Sequence, residues 1–96
     1  MVETQTIQRL GELFSAVADT TRLRIILLIR KHETRSTDIA AQLDMTTSAI
    51  SHQLRWLRER RIVKAAKIGR ETFYSLNDEC IVELLDVALR HIGEEE

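Results

Sequence analysis

Ninety-six residues, 44% hydrophobic and 30% charged, suit one small globular domain spanning 1–96 and argue against general disorder. Cys80 is the only cysteine, so no disulfide can form within the chain, and a core this small then calls for a metal or a partner subunit. The net charge of −1 conceals a segregation: His52 to Arg70 holds seven Lys and Arg against Glu59 alone, whereas Glu71 to Glu96 holds eight acids against Arg90 alone.

The opening Met1-Val2-Glu3-Thr4-Gln5 is polar and has no signal-peptide character. No apolar run approaches the roughly 20 residues of a spanning helix, so a cytoplasmic protein without a membrane partner is expected. A first helix is predicted from about Thr4 to Val17, with Ile7, Leu10, Phe14 and Val17 on one face. Asp19 or Thr20 can cap a second helix reaching about Lys31, with Leu23, Ile26, Leu27 and Ile29 bound for the core. His32 to Arg35 reads as a polar loop, and Ser36 can cap a short third helix carrying Ile39, Ala40 and Leu43. Asp44-Met45-Thr46 is a tight turn, and Thr46 or Thr47 caps a fourth helix that ends near Arg60. Two short helices joined this way form a helix-turn-helix. Ile62 to Ile68 and Glu71 to Leu76 are β-prone and flank Gly69-Arg70, a hairpin with its tip at that pair. Asn77 or Asp78 caps a last helix to about Ile92. Its Ile81, Leu85, Ala88, Leu89 and Ile92 make one apolar stripe, and Leu84 and Val87 begin a second, which a lone domain does not need. The expected architecture is mainly α with a small β-hairpin: a winged helix-turn-helix in the order α-α-α-α-β-β-α, homodimeric.

The fourth helix carries the functional signal. Ile50, Leu54 and Leu57 recur at helical spacing, while Ser48, Ser51, His52 and Arg55 share the opposite face. Hydrogen-bonding side chains near the start of such a helix suit the base edges of a major groove, which makes Thr47, Ser48, Ser51 and His52 candidates. Arg55 can read guanine or hold a phosphate, and Arg58 suits a phosphate. Lys64, Lys67 and Arg70 on the hairpin suit backbone phosphate or an adjacent minor groove. Trp56, at the edge of the polar face, is expected against the hairpin.

Three segments carry a family resemblance over nearly the whole chain: Leu13-Phe14-Ser15-Ala16-Val17-Ala18-Asp19-Thr20-Thr21-Arg22-Leu23-Arg24-Ile25, Ser48-Ala49-Ile50-Ser51-His52-Gln53-Leu54-Arg55, and Gly69-Arg70 followed by Phe73-Tyr74-Ser75-Leu76. The chain resembles the ArsR/SmtB family of metal- and stress-responsive repressors. Thr20 stands where the family usually has proline, and Arg60-Arg61 replaces a frequent small-residue-glycine turn. The resemblance implies a homodimer paired through its first and last helices, here with Ile7, Leu10, Phe14, Leu84 and Val87 at the interface. It also implies binding to double-stranded operator DNA and release on meeting an inducer.

Asp78, Cys80, His91 and Glu94 on the last helix are all competent ligands for a borderline divalent ion. Cys80 and His91 are separated by about 16 Å of helix at 1.5 Å per residue, too far for one ion. From Cys80 the helical phase returns to within about 20° at His91 and about −40° at Glu94, at about 100° per residue, so the three share a face. A two-fold axis near Asp86-Val87 would bring Asp78 and Cys80 beside the partner's His91 and Glu94, making two equivalent sites. The family's carboxy-terminal-helix site resembles this set, with Cys80 where histidine is usual. Zinc is the expected ion, with cobalt, cadmium or nickel as other candidates. A Cys-x-Cys thiolate site in the third helix is excluded, since that region reads Thr34-Arg35-Ser36-Thr37-Asp38. Two alternatives stay open: the same fold triggered by oxidation of Cys80 or another non-metal signal, and a winged-helix module that binds only protein. With no phosphate-cradling glycine loop and no nucleophile–base pair, an enzyme is not expected.

Overall fold

The computed structural model describes residues 1–94. Five helices and a small sheet follow the order α1 (Thr4–Ala18), α2 (Thr20–Lys31), β1 (Thr34–Arg35), α3 (Ser36–Leu43), α4 (Thr47–Glu59), β2 (Val63–Ile68), β3 (Glu71–Leu76) and α5 (Glu79–His91). The architecture is a winged helix-turn-helix, with α3 and α4 as the paired helices and β2–β3 as the wing. Among the described residues no helix is long and apolar enough to cross a membrane.

Local chemistry sets the helix boundaries. Asp19 is extended and its carboxylate accepts from the Arg22 amide at 3.0 Å, so α2 starts at Thr20. Thr20 is therefore a first helical residue, whose unpaired N–H makes proline and threonine equally admissible there. The α3–α4 turn is a Schellman motif. Asp44 takes the left-handed conformation at φ 54°, and the Met45 amide returns to the Ala40 carbonyl at 2.9 Å. Thr46 then caps α4 through its hydroxyl, which accepts from the Ala49 amide at 3.0 Å. A second Schellman motif ends α4: Arg61 has φ 58°, and the Ile62 amide reaches the Leu57 carbonyl at 3.0 Å.

The sheet is antiparallel with strand order β1-β3-β2. The wing pairs Val63 with Leu76 at its base and Ile68 with Glu71 at its tip, where Gly69 supplies the positive φ of 65°. The polar loop expected over His32 to Arg35 contains β1, whose Thr34 and Arg35 face Tyr74 and Phe73. Two residues are too few to show an alternation, so this strand left no periodic trace. Ser36 starts α3 without capping it; the preceding Arg35 holds the N-cap position, with no side-chain hydrogen bond to the helix amides.

One core joins all the helices and the wing base: Ala16, Ile25, Ile26, Ile29, Ile39, Ala40, Ile50, Leu54, Leu57, Ile62, Val63, Leu76 and Leu85. Ile50, Leu54 and Leu57 are fully buried, which fixes the rotation of α4. The outer helices divide differently from their sequence pattern. In α1 the inward residues are Leu13, Ala16 and Val17, while Ile7, Leu10 and Phe14 face outward. In α5 Leu85 is buried, whereas Val87 and, just past the helix, Ile92 are exposed. The expected inward stripe through Ile92 stops short because the helix ends at His91.

Candidate nucleic-acid interface and metal-ligand set

Burying the apolar stripe of α4 leaves Thr47, Ser48, Ser51, His52, Arg55 and Arg58 exposed on one side of the helix. Ten of the fourteen arginines and lysines fall into two groups; Arg30 and Lys31 are also engaged, while Arg9 of α1 and Arg90 of α5 lack a partner among the described residues. Arg22, Arg24, Arg35 and Arg60 are engaged in hydrogen bonds within the chain. Among the described residues, Arg55, Arg58, Arg61, Lys64, Lys67 and Arg70 have neither an ion pair nor a side-chain hydrogen bond. These unneutralised cations follow α4 and the wing, the arrangement that a polyanion's phosphates can neutralise.

The wing's pleat separates its two lysines. Residues three apart on a strand point to opposite faces. Lys67 shares the face of Ala65 and, across the ladder, Thr72 and Tyr74. Lys64 lies on the other face, in a cleft with His32, Glu33, Asp78 and Glu79. The structure thus places Lys64 nearer the start of α5 than the exposed face of α4.

Arg35 ties the wing to the helix-turn-helix. Its guanidinium donates to both Asp38 carboxylate oxygens, at 2.9 and 3.2 Å, and to Glu71 at 2.6 Å. Asp38 first and Glu71 second push its pKa above the usual arginine value, which keeps the guanidinium charged. The Arg35/Asp38 spacing of three residues was the available sequence signal; the link to Glu71 required the fold. Trp56, expected against the hairpin, is partly buried against the core and engages two cations. The guanidiniums of Arg22 and Arg60 lie 4.0 and 3.6 Å from its ring centre, and a groove joins it to Gln8, Gly11 and Ser15 of α1.

The four candidate ligands lie at the two ends of α5. Asp78 caps the helix, accepting from the Ile81 amide at 3.2 Å, and also accepts from the Asn77 side-chain amide at 3.3 Å. Cys80 is an exposed free thiol, and His91 is exposed as the last helical residue. Glu94 lies beyond the helix. Gly93 has φ 85°, and the Glu94 amide turns back to the Leu89 carbonyl at 2.8 Å in a third Schellman motif. Helical phase therefore does not set the position of Glu94 relative to His91, contrary to the sequence argument. Among the described residues no three liganding side chains gather within one chain. The donor types, one thiolate, one imidazole and two carboxylates, fit a borderline divalent ion if two chains contribute. Midway along the helix Asp86 accepts from Arg30 of α2 at 2.6 Å, joining α5 to the body of the domain.

Residues 19–65 match the family model described as a bacterial regulatory protein of the arsR family. A transcriptional repressor SmtB homolog of Synechocystis is 40% identical over 87 residues, covering 91% of this chain and 66% of that protein. The transcriptional regulator NmtR of Mycobacterium tuberculosis is 36% identical over 90 residues, covering 94% of this chain and 75% of that protein. A cadmium resistance regulatory protein, the CadC homolog of Staphylococcus aureus, is 33% identical and covers 84% of this chain and 68% of its own. The solution structure of apo-NmtR matches with a TM-score of 0.83 and 35% identity, over 95% of this chain and 76% of that one.

Proposed function

Because the chain belongs to the ArsR family of bacterial regulatory proteins, we propose that it is a homodimeric transcriptional repressor that binds operator DNA and releases it on binding a divalent metal. The observation that carries the DNA half is the run of cations along α4 and the wing that have no partner among the described residues. In this reading Thr47, Ser48, Ser51 and His52 approach base edges from the first half of α4, and Arg55 and Arg58 continue toward phosphate. Lys67 and Arg70 extend the charged surface along the wing. Lys64 is the weakest of the proposed contacts, since its cleft contains Asp78 and Glu79.

The metal half rests on ligand chemistry and on one relative whose name concerns a metal response, the CadC homolog, a cadmium resistance regulator. A zinc ion held by Asp78 and Cys80 of one protomer with the partner's His91 and Glu94 would cross-link two α5 helices. Asp78 can cap and ligate together, since an ionised carboxylate has about four acceptor positions and two are in use. The Arg30–Asp86 pair then gives a change in α5 a direct attachment to α2. Coupling of this kind is reciprocal: a hundredfold loss of operator affinity corresponds to about 2.7 kcal/mol, and DNA weakens zinc binding by the same factor.

Fluorescence-anisotropy titration with operator duplex tests both halves. Affinity is expected to fall steeply with salt and by about a hundredfold at saturating zinc. Cobalt substitution is expected to give a thiolate charge-transfer band, lost in Cys80→Ser, at two ions per dimer. Unchanged operator affinity at saturating zinc refutes the sensing half and leaves the DNA half standing.

A further inference from the structure

Beside α4, on the side of the wing, lies a cleft of about 540 Å³ lined by Ser51, Arg55, Arg58, Glu59 and Tyr74. Four of these are helix residues and the fifth comes from β3. Tyr74 pairs across the sheet with Ala65 of β2 and Thr34 of β1, so it stands on the central strand of the sheet. Its ring packs against the buried core, and the residue is half-buried. Its hydroxyl nonetheless has no hydrogen-bond partner among the described residues and is open to solvent. Arg55 and Arg58 likewise have no ion pair or side-chain hydrogen bond among the described residues.

We propose that this cleft is a seat for one DNA backbone phosphate and that Tyr74 is a binding residue of the interface, donating its hydroxyl proton to a phosphate oxygen. The inference rests on the DNA-binding reading and deepens it. A phosphodiester oxygen is an acceptor only, and the cleft offers two guanidiniums and two hydroxyls as donors. A protein carboxylate could accept the same bonds, but the cations continue onto the wing through Lys67, on the same sheet face as Tyr74, as a polyanion requires and a single carboxylate does not. Tyrosine and serine hydroxyls recur as phosphate contacts, and such contacts set register on the duplex without reading sequence. Glu59 is the one acid of the cleft and repels an anion at its end, which directs the phosphate toward Ser51, Arg55 and Tyr74. The ring of Tyr74, held by the core, fixes its hydroxyl in advance, so little side-chain freedom is lost on binding.

Tyr74→Phe removes the hydroxyl and keeps the packed ring. Operator affinity of the variant is expected to be about tenfold weaker, the low end for a hydrogen bond to a charged group. The same factor is expected on a non-operator duplex, because a phosphate carries no sequence. The slope of log K against log salt should not change, since a neutral group releases no counterion, whereas Arg58→Gln should reduce it by about 1. Coincident thermal melts of Tyr74→Phe and wild type exclude a folding cause; an unfolded Phe variant would itself overturn the proposal, by making the hydroxyl structural. Equal affinity of wild type and variant for DNA overturns the seat alone. A loss confined to the operator overturns the phosphate assignment in favour of base reading. A wild type that binds no duplex at low salt overturns the DNA-binding reading, and the seat with it.

Discussion

Arg61 occupies a backbone conformation that glycine adopts freely and other residues adopt at a cost. Its φ of 58° is required by the turn that ends α4 and sends Ile62 into the core. A left-handed non-glycine residue costs about 1–2 kcal/mol, of which the greater unfolded-state freedom of glycine returns a part. Arg61→Gly is therefore expected to stabilise the domain by about 1 kcal/mol, raising Tm by about 5 °C. Differential scanning calorimetry decides it, and an unchanged or lower Tm removes the argument from backbone strain. The arginine has no partner among the described residues, so the same substitution should reduce the salt dependence of DNA binding. A cation at the edge of a polyanion site is a physical reason to keep a strained residue there.

At the scale of elements, legibility followed the strength of periodic signals. Ile50, Leu54 and Leu57 showed α4 and its exposed face directly, and Gly69 marked the wing tip, because burial and backbone strain act on single positions. The outer helices were less legible. Both stripes of α5 are apolar, and only packing decides that Leu85 is buried while Val87 is not. The position of Glu94 was misread because Gly93 breaks the helix that the phase argument extended. The cleft at Tyr74 depends on β3 meeting α4, a contact between distant segments with no local signature. The Arg30–Asp86 pair is of the same kind, joining residues 56 apart in sequence. Arg30 is nearly buried with 9% of its side chain exposed, and Asp86 is 43% exposed, so solvent weakens this pair relative to a fully buried one. Asp86→Asn is expected to cost about 1–2 kcal/mol in urea unfolding. Amide exchange should accelerate selectively in α5, because the helix loses this ionic contact with α2 while Leu85 stays in the core. Uniform acceleration across the molecule would mean that the pair supports the whole core and does not act specifically on α5.

The whole molecule leaves its outer apolar surface unpaired. Ile7, Leu10 and Phe14 of α1, Val87 of α5 and Ile92 just past its end are each about half exposed or more, on the elements that flank the helix-turn-helix. One core cluster serves all five helices, and chains of this size commonly gain stability through a partner. Pairing through α1 and α5 would cover that surface and fix the distance between two copies of α4. Two such helices meet successive major grooves when their half-sites lie about 34 Å, or one helical turn, apart. Phe14→Glu places a charge within the proposed contact and alters a side chain outside the core, so the folded domain should persist while the dimer dissociates. Sedimentation velocity is expected to show a monomer, and the dependence of Tm on protein concentration should disappear. The variant should bind a full operator no better than a single half-site, whereas wild type gains from engaging both at once. A variant that stays dimeric and keeps its preference for the full site would show that this face of α1 lies outside the pairing surface.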